Sequence, residues 1–326
     1  LVTNAEKVKS FNPPYQLVVS STPAPTSKLS TEYGKSSGPS AHTSINAFGT
    51  LRSAFENAGY KDRDMGRLTN RLMNNTDVVV WTPQNDMMIN SSAVRWLDTW
   101  LAQGQHTLIY ISADSGSEEE YWTSAARRAP PEKRLEYRRR AAKSKNQRML
   151  ARLSSSGSVQ YPWFSVHQLP LPEKVKHAIG PWKPFQGNAA DQPTTWIEDS
   201  LGAGTQQLPP NNVVLTTALS TPKPQAKPQA KPQAKPGSKY QYRSLLETSN
   251  GNSYIGEVTS KRWGDSRIIV VSTGSLLTNF GLTQRPNQKL ADKIIQQATP
   301  KKLSQPRAAF LSTDGPSVVV SDDQQG

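Results

Sequence analysis

Cysteine is absent from this chain of 326 residues, which rules out disulfides, thiolate nucleophiles and Cys-ligated zinc and leaves the compartment open. Histidine is scarce. His42, His106, His167 and His177 nowhere lie three or four residues apart, so the spacing that clamps a metal on one helix face is missing. No Gly-x-x-x-x-Gly-Lys or Gly-x-Gly-x-x-Gly pattern is present, and no metal or cofactor is expected. No apolar run approaches the roughly 20 residues of a membrane span. Acid is in deficit, with 25 Asp and Glu against 39 Lys and Arg and a net charge of +14. The chain opens on Leu1 rather than Met, so a fragment or processed form is expected, with any membrane anchor outside it.

What is present points to one sizeable core with much irregular chain, given 25 Pro, 20 Gly and a mean hydropathy of −0.64. The organising stretch is Thr76 to Asp114. Asp77 to Trp81 and Thr107 to Ile111 are short apolar, β-branched runs, and between them Val94, Leu97, Trp100 and Leu101 fall at helical spacing. Ser91 or Ser92 is placed to cap this helix over 92–103, and Gly104 to end it. Two buried strands joined by one helix require a crossover, so the sheet is expected to be mostly parallel.

Upstream, residues 1–30 read as a tether or edge strand. Thr31 to Tyr33 is a short strand candidate, and 44–58 a helix with Ile45, Phe48, Leu51 and Phe55 on one stripe, capped by Thr43 or Ser44. Lys61 to Asn75 reads as a connection. Downstream, Ser117 and Glu118 to Glu120 start a helix, and Pro130-Pro131 breaks it and opens a second to about Leu153, together a helical insertion over 117–153. Leu135, Ala142, Met149 and Leu153 make a thin stripe expected to be the packing seam of the second helix. Residues 154–210 read as an irregular arm anchored by Trp163, Phe164, Trp182 and Trp196, followed by a strand at Val213 to Leu215. KPQAKPQAKPQAKP within 222–238 is expected to be extended and without regular structure, because recurring Pro removes donors and fixes φ. Tyr240 to Thr248 and Ser253 to Thr259 form a hairpin about Asn250-Gly251, Arg267 to Ser272 a central strand, and Leu290, Ile294 and Ile295 a helix that Asn287 is placed to cap. Ala308 to Leu311 and Ser317 to Ser321 read as a last pair of edge strands, with 324–326 a tail.

Thr31 to Tyr60, Ala129 to Glu136, Gly180-Pro181-Trp182, Arg267 to Leu282 with its Ser-Leu-Leu-Thr-Asn at 275–279, and Ala309 to Asp323 together resemble the bacterial domain-of-unknown-function 4350 family. The resemblance covers 31–323. It implies a flavodoxin-like three-layer α/β sheet similar to class I glutamine amidotransferase domains, in proteins anchored at the extracytoplasmic side of the cell envelope. No activity is established for that family, and the KPQA repeats are an addition to its pattern.

An amidotransferase needs a nucleophilic thiolate on a strand-to-helix turn, and this chain has none. Ser112-Ala113-Asp114-Ser115-Gly116 offers Ser115 after a strand without reproducing the Gly-x-Ser-x-Gly elbow. His42 lies between Ser40 and Ser44 in the first loop and is the candidate base, with Asp114 its partner across adjacent strand ends. The bland alternative is a loop histidine in an ordinary hydrogen bond. Asp114 with Glu118 to Glu120 is a carboxylate group of the kind a hard cation takes, although first-turn acids need no metal. The hydroxyl-rich loops Ser36-Ser37, Ser44 and Thr273-Gly274-Ser275, with Asn279, are candidate anion ligands at helix amino ends; Thr278 and Asn279 also fit as residues that fix the loop.

Arg127 to Arg152 carries eleven Lys or Arg against Glu132 and Glu136, a local charge of +9. Arg138, Arg139, Arg140 and Lys143 suit an anionic membrane surface or an envelope protein. Nucleic acid is the weaker match, since Tyr137 is the segment's only aromatic and no recognition motif accompanies it. The leading reading is a non-enzymatic, envelope-anchored binding or scaffold domain. The alternatives are a hydrolase-like enzyme using His42 and Asp114, and an anionic-surface or nucleic-acid binder acting through 127–152.

Overall fold

Val78–Trp81 (β3) and Thr107–Ile111 (β4) are buried at every position, as strands covered on both faces must be. They pair in parallel, Val79 opposite Leu108. The helix between them, Ser91–Ala102 (α4), is capped by Asn90 rather than by Ser91 or Ser92: the Asn90 side chain accepts from the Ala93 N–H at 2.7 Å. Gly104, at φ 86°, ends it.

The computed structural model describes residues 29–83, 89–113, 116–154, 158–168, 180–182, 195–198, 239–248, 251–300, 305–312 and 318–321. Residues 1–28 of the amino-terminal tether, the strand at 213–215, the KPQA insert, Asp114, Ser115 and the 324–326 tail lie outside them. Before β3 come Pro39–Thr43 (α1), Gly49–Asn57 (α2), Lys61–Met65 (β1), Leu68–Thr69 (β2) and Asn70–Asn74 (α3). After β4 come Glu118–Arg128 (α5), Pro131–Ser154 (α6), Ser158–Gln160 (β5), Ser165–Gln168 (β6), Thr195–Glu198 (β7), Gln241–Glu247 (β8), Ser253–Thr259 (β9), Arg267–Val271 (β10), Arg285–Ala298 (α7), Arg307–Leu311 (β11) and Val320–Ser321 (β12).

The main sheet has the order β1-β11-β3-β4-β10-β9-β7-β6-β5, with β8 also paired to β9. From β1 to β10 every pairing is parallel. The β8–β9 hairpin forms as its Asn-Gly turn predicts and opens an antiparallel wing beside β10. Within the arm expected to be irregular, residues 158–168 and 195–198 supply the wing's outer strands, with Trp163, Phe164 and Trp182 buried.

Several boundaries differ from expectation. No strand forms at Thr31; the helix expected over 44–58 begins only at Gly49 as α2, and the short α1 precedes it where a loop is expected. Lys61 to Met65 is an edge strand on β11 and not a connection; its charges suit an edge exposed to water. β11 is no edge strand. It lies between β1 and β3, and β12 pairs instead with β2 in a separate two-stranded sheet. An unbroken Ala-Ala-Phe-Leu run has no polar face, which fits an interior position.

Alternation along the strands divides the core in two and makes three layers. Val78, Val80, Ile109, Ile111, Ile269, Val271 and Phe310 pack beneath α2 and α7. Val79, Trp81, Leu108, Tyr110, Ile268 and Val270 pack beneath α4 and against the wing's Trp163 and Trp263. The protein is thus α/β with helices on both faces of a mostly parallel central sheet, joined by a helical insertion and a hairpin.

His106, after α4, stacks on Trp100 at 4.7 Å. Burial lowers its pKa, and the Asp77 carboxylate only partly opposes this. A histidine whose folded pKa is depressed contributes stability that is complete above the ordinary value of about 6.5 and is lost as pH falls through it towards the folded value. Wild type is therefore expected to lose melting temperature between about pH 7.5 and 5.5 more steeply than His106→Gln. Parallel profiles would remove this role.

Candidate functional site

Because β3, β4, β10 and β11 run the same way, Thr82, Ser112, Ser272-Thr273 and Ser312 meet at one end of the sheet, where α/β proteins place ligands. Residues 30–48 cross that end and are tied down along their length. Ile45 N–H donates to Ser30 O at 3.1 Å and Phe48 N–H to Lys35 O at 2.7 Å. The Thr82 hydroxyl donates to Gly34 O at 3.1 Å and the Tyr33 hydroxyl to Ser112 O at 3.2 Å. Gly274 sits so close beneath Tyr33 that a Cβ there would stand 2.0 Å from its hydroxyl oxygen.

The hydroxyl and amide candidates converge on this end, and most bond to the protein itself. Ser36 is buried and donates to Asp64 at 3.0 Å, and Asp64 with Asp62 holds Arg52 of α2. Ser44, also buried, donates to Glu32 O at 2.6 Å. Asn279 accepts from Thr50 N–H at 2.8 Å and donates to Ala41 O and Ser44 O at 2.6 and 2.8 Å. That is loop-fixing geometry. The Ser275 carbonyl accepts from the Ser117 and Thr278 hydroxyls at 3.3 and 2.9 Å. Ser37 is half-buried. The Thr273 hydroxyl, like that of Ser272, is buried and has no hydrogen-bond partner among the described residues.

His42 is exposed in the last turn of α1, its ring against Gly49, where a Cβ would lie 2.7 Å from Nδ1. Its expected partner Asp114, and Ser115, lie outside the described residues. Among the described residues no group of three or more His, Asp or Glu comes together as metal ligands. Asn287 caps nothing: it lies inside α7 and donates to Gly281 O at 2.9 Å.

Sequence reasoning missed Asn46, which the expected 44–58 helix would have placed in its first turn. Its side chain donates to Thr31 O at 3.0 Å and accepts from Ser117 N–H at 2.7 Å. Ser117 makes no side-chain cap to α5; its hydroxyl instead meets Thr278 at 3.0 Å. Gly116, at φ 69°, brings the chain so near Asn46 that a Cβ would lie 2.7 Å from its amide. Tyr121 rests edge-on against Phe280, ring centres 5.5 Å apart. The strand-end loops thus form the root of the α5–α6 hairpin.

Along that hairpin the seam is not the aliphatic one. Leu135 and Met149 are 58% and 42% exposed, and Ala142 is exposed too. Tyr137, Ala141, Ser144 and Arg148 face α5 instead, at spacings that also fit one helix stripe. Tyr137 packs on Trp122 with ring centres 5.3 Å apart, and Arg148 clamps Glu119 and Glu120. Of the four candidate basic residues, Arg138, Arg139 and Lys143 are exposed and Arg140 is engaged: it lies 4.7 Å from the Trp122 ring centre and 2.8 Å from Glu136. None of the four is at the strand ends.

No family model matches this chain, and no curated protein matches it. A solved structure, the "mmIFT52 N-terminal domain", is similar at 10% identity and a TM-score of 0.37 over 78% of this chain and 91% of that one, a likeness that carries no argument about fold or function.

Proposed function

We propose that this chain is a non-enzymatic binding or scaffold domain of a bacterial cell envelope, held at the membrane by a segment outside residues 1–326, whose α/β body presents the α5–α6 hairpin to an anionic partner. One observation carries the reading. At the sheet end where an enzyme would gather its reacting groups, Ser36, Ser44, Asn46, Ser117, Thr278 and Asn279 direct their side chains to neighbouring loops and to the root of α5. Polar groups satisfied in this way gain little from binding a substrate, and of the hydroxyls at this end only those of Ser272 and Thr273 are buried without a partner among the described residues. The resemblance to the envelope family supports the setting, and the exposed Arg138, Arg139 and Lys143 support the sign of the partner.

The hydrolase-like alternative places the base at His42. Both readings are separated by comparing the full-length gene product with its His42→Ala variant, by cell fractionation and by hydrolysis of a panel of activated esters and amides. Wild type and variant are expected to co-fractionate with the envelope, with no turnover that depends on His42. Turnover lost in His42→Ala would establish the enzyme, and a product found wholly away from membranes would remove the envelope setting.

A further inference from the structure

We propose that the outward face of α6 is an interfacial helix that lies on anionic lipid, with Leu135, Met149 and Leu150 entering the boundary between headgroups and acyl chains and Arg138, Arg139, Lys143 and Lys145 meeting the lipid charge. This rests on the envelope reading above and names the partner of the hairpin.

The geometry follows from the seam reversal. At about 100° per residue, Ala142 and Met149 fall within about 40° of Leu135, and Leu150 within about 60°. Arg138 and Lys145 flank this ridge on one side and Lys143 on the other, with Arg139 between Leu135 and Leu150, whereas the Tyr137–Ser144–Arg148 seam that grips α5 lies on the opposite side of the helix. Leu135, Met149 and Leu150 are 58%, 42% and 65% exposed, three of the four large hydrophobics so exposed among the described residues. The helix spans 24 residues, about 36 Å, and its packing is chiefly on α5. An apolar ridge rimmed by cations along a 24-residue helix matches the boundary of an anionic membrane.

Other anionic partners fit less of this. A nucleic-acid phosphate backbone would use the cations and leave the ridge wet, and Tyr137, the only aromatic on α6, is turned onto Trp122 and cannot stack on bases. An acidic protein would need an apolar groove to receive the ridge, whereas a lipid surface supplies apolar volume along its whole plane. Acid on the helix does not cancel the charge: Glu136 is held by Arg140 at 2.8 Å, and Glu132, in the first turn, is a single acid against the four cations of the outward face.

The test uses the complete chain and extruded vesicles of neutral phosphatidylcholine, alone or with about one-third phosphatidylserine, measured by co-sedimentation at low and physiological salt. Binding is expected only to the anionic vesicles, weakening as salt rises. Leu135→Gln/Met149→Gln/Leu150→Gln should lower partitioning roughly tenfold and leave binding to heparin unchanged, and Arg138→Glu/Arg139→Glu/Lys143→Glu should lower both by roughly a hundredfold. All six positions are exposed, so melting temperature and helix content are expected to hold in both variants and serve as the folding control. Vesicle binding that survives the glutamine triple variant would reduce the contact to charge alone and overturn the proposal. So would absence of vesicle binding, or tighter binding to a DNA duplex than to the anionic vesicles. Should vesicle binding fail while the full-length product still fractionates with the envelope, the scaffold reading stands and only the lipid contact falls.

Discussion

Replacing Glu257 by Ala is expected to destabilise the protein by about 3 kcal/mol, a fall of roughly 6–12 °C in melting temperature. Glu257 lies in β9, the strand that joins the parallel core to the antiparallel wing, directly opposite Ile269 on one side and Arg243 on the other. Its side chain is 5% exposed and carries three partners: Arg243 at 2.6 Å, Arg267 at 3.1 Å and Gln297 of α7 at 3.0 Å. A charge so enclosed adds little net stability over an apolar replacement with repacked neighbours, but deleting it alone strands Arg267 and the Gln297 amide. Arg267 is 28% exposed and can recover some hydration, which keeps the expected loss at the low end for a broken buried pair. Glu257→Gln preserves shape and removes charge, so about half the loss is expected. Arg243→Ala should cost under about 1 kcal/mol, because that side chain is 61% exposed. Chemical denaturation of the three variants checks the ordering. Equal losses for Glu257→Ala and Arg243→Ala would show that Arg243 alone sets the energy of the cluster.

The sequence made the middle of the sheet legible and its edges and insertions much less so. β3, α4, β4, β10 and the β8–β9 hairpin follow from apolar runs and one Asn-Gly turn, signals that local chemistry supplies. β1 had no such signal. Lys-Asp-Arg-Asp-Met is a strand because β11 offers it a ladder and α2 offers Asp62 and Asp64 the Arg52 guanidinium, and both partners are remote in the chain or in element type. β11 was visible as a strand but not as an interior one. Nothing local told that the final crossover returns over the sheet to land between β1 and β3.

The α6 seam shows a different limit. Periodicity finds a stripe but does not say which of two stripes faces the protein, and here the seam is made by an aromatic, two small residues and an arginine clamp, leaving the aliphatic stripe outside. The same holds for helix starts. Thr43, Ser44, Ser91, Ser92 and Ser117 are all good capping residues by type, yet none of them caps α2, α4 or α5: the Ser44 and Ser117 hydroxyls go to Glu32 O and Thr278, that of Thr43 turns back to Pro39 O, and the neighbouring Asn90 takes the α4 cap. Ser36, Ser44, Ser275 and Asn279 were placed at the strand ends by residue type and loop position alone; what their atoms touch required the fold.

Asn279 gives the clearest test of what those strand-end residues do. α2 has Phe48 at its cap position and no side-chain cap of its own; the missing acceptor arrives from Asn279, whose Oδ1 takes the Thr50 N–H at 2.8 Å. The same amide closes the preceding turn by donating to Ala41 O and Ser44 O at 2.6 and 2.8 Å. Asn279→Ala removes a helix cap and takes the donor from Ala41 O, while Ser44 O keeps the Ala47 N–H at 3.3 Å, so a loss of about 2 kcal/mol is expected, about 1 from the cap and the remainder from the Ala41 carbonyl. Asn279→Asp is the more telling substitution. It retains an acceptor for Thr50 and places negative charge at a helix amino end, which alone would stabilise. It also sets a carboxylate oxygen against the Ala41 and Ser44 carbonyls where a donor is required, so the variant is expected to be no better than Ala. A ligand-binding Asn279 would behave differently, with both variants folding as wild type and losing only affinity. Thermal and urea denaturation of the two variants therefore distinguishes the roles: unchanged stability in Asn279→Ala would sink the loop-fixing account and return this residue to the list of candidate ligands.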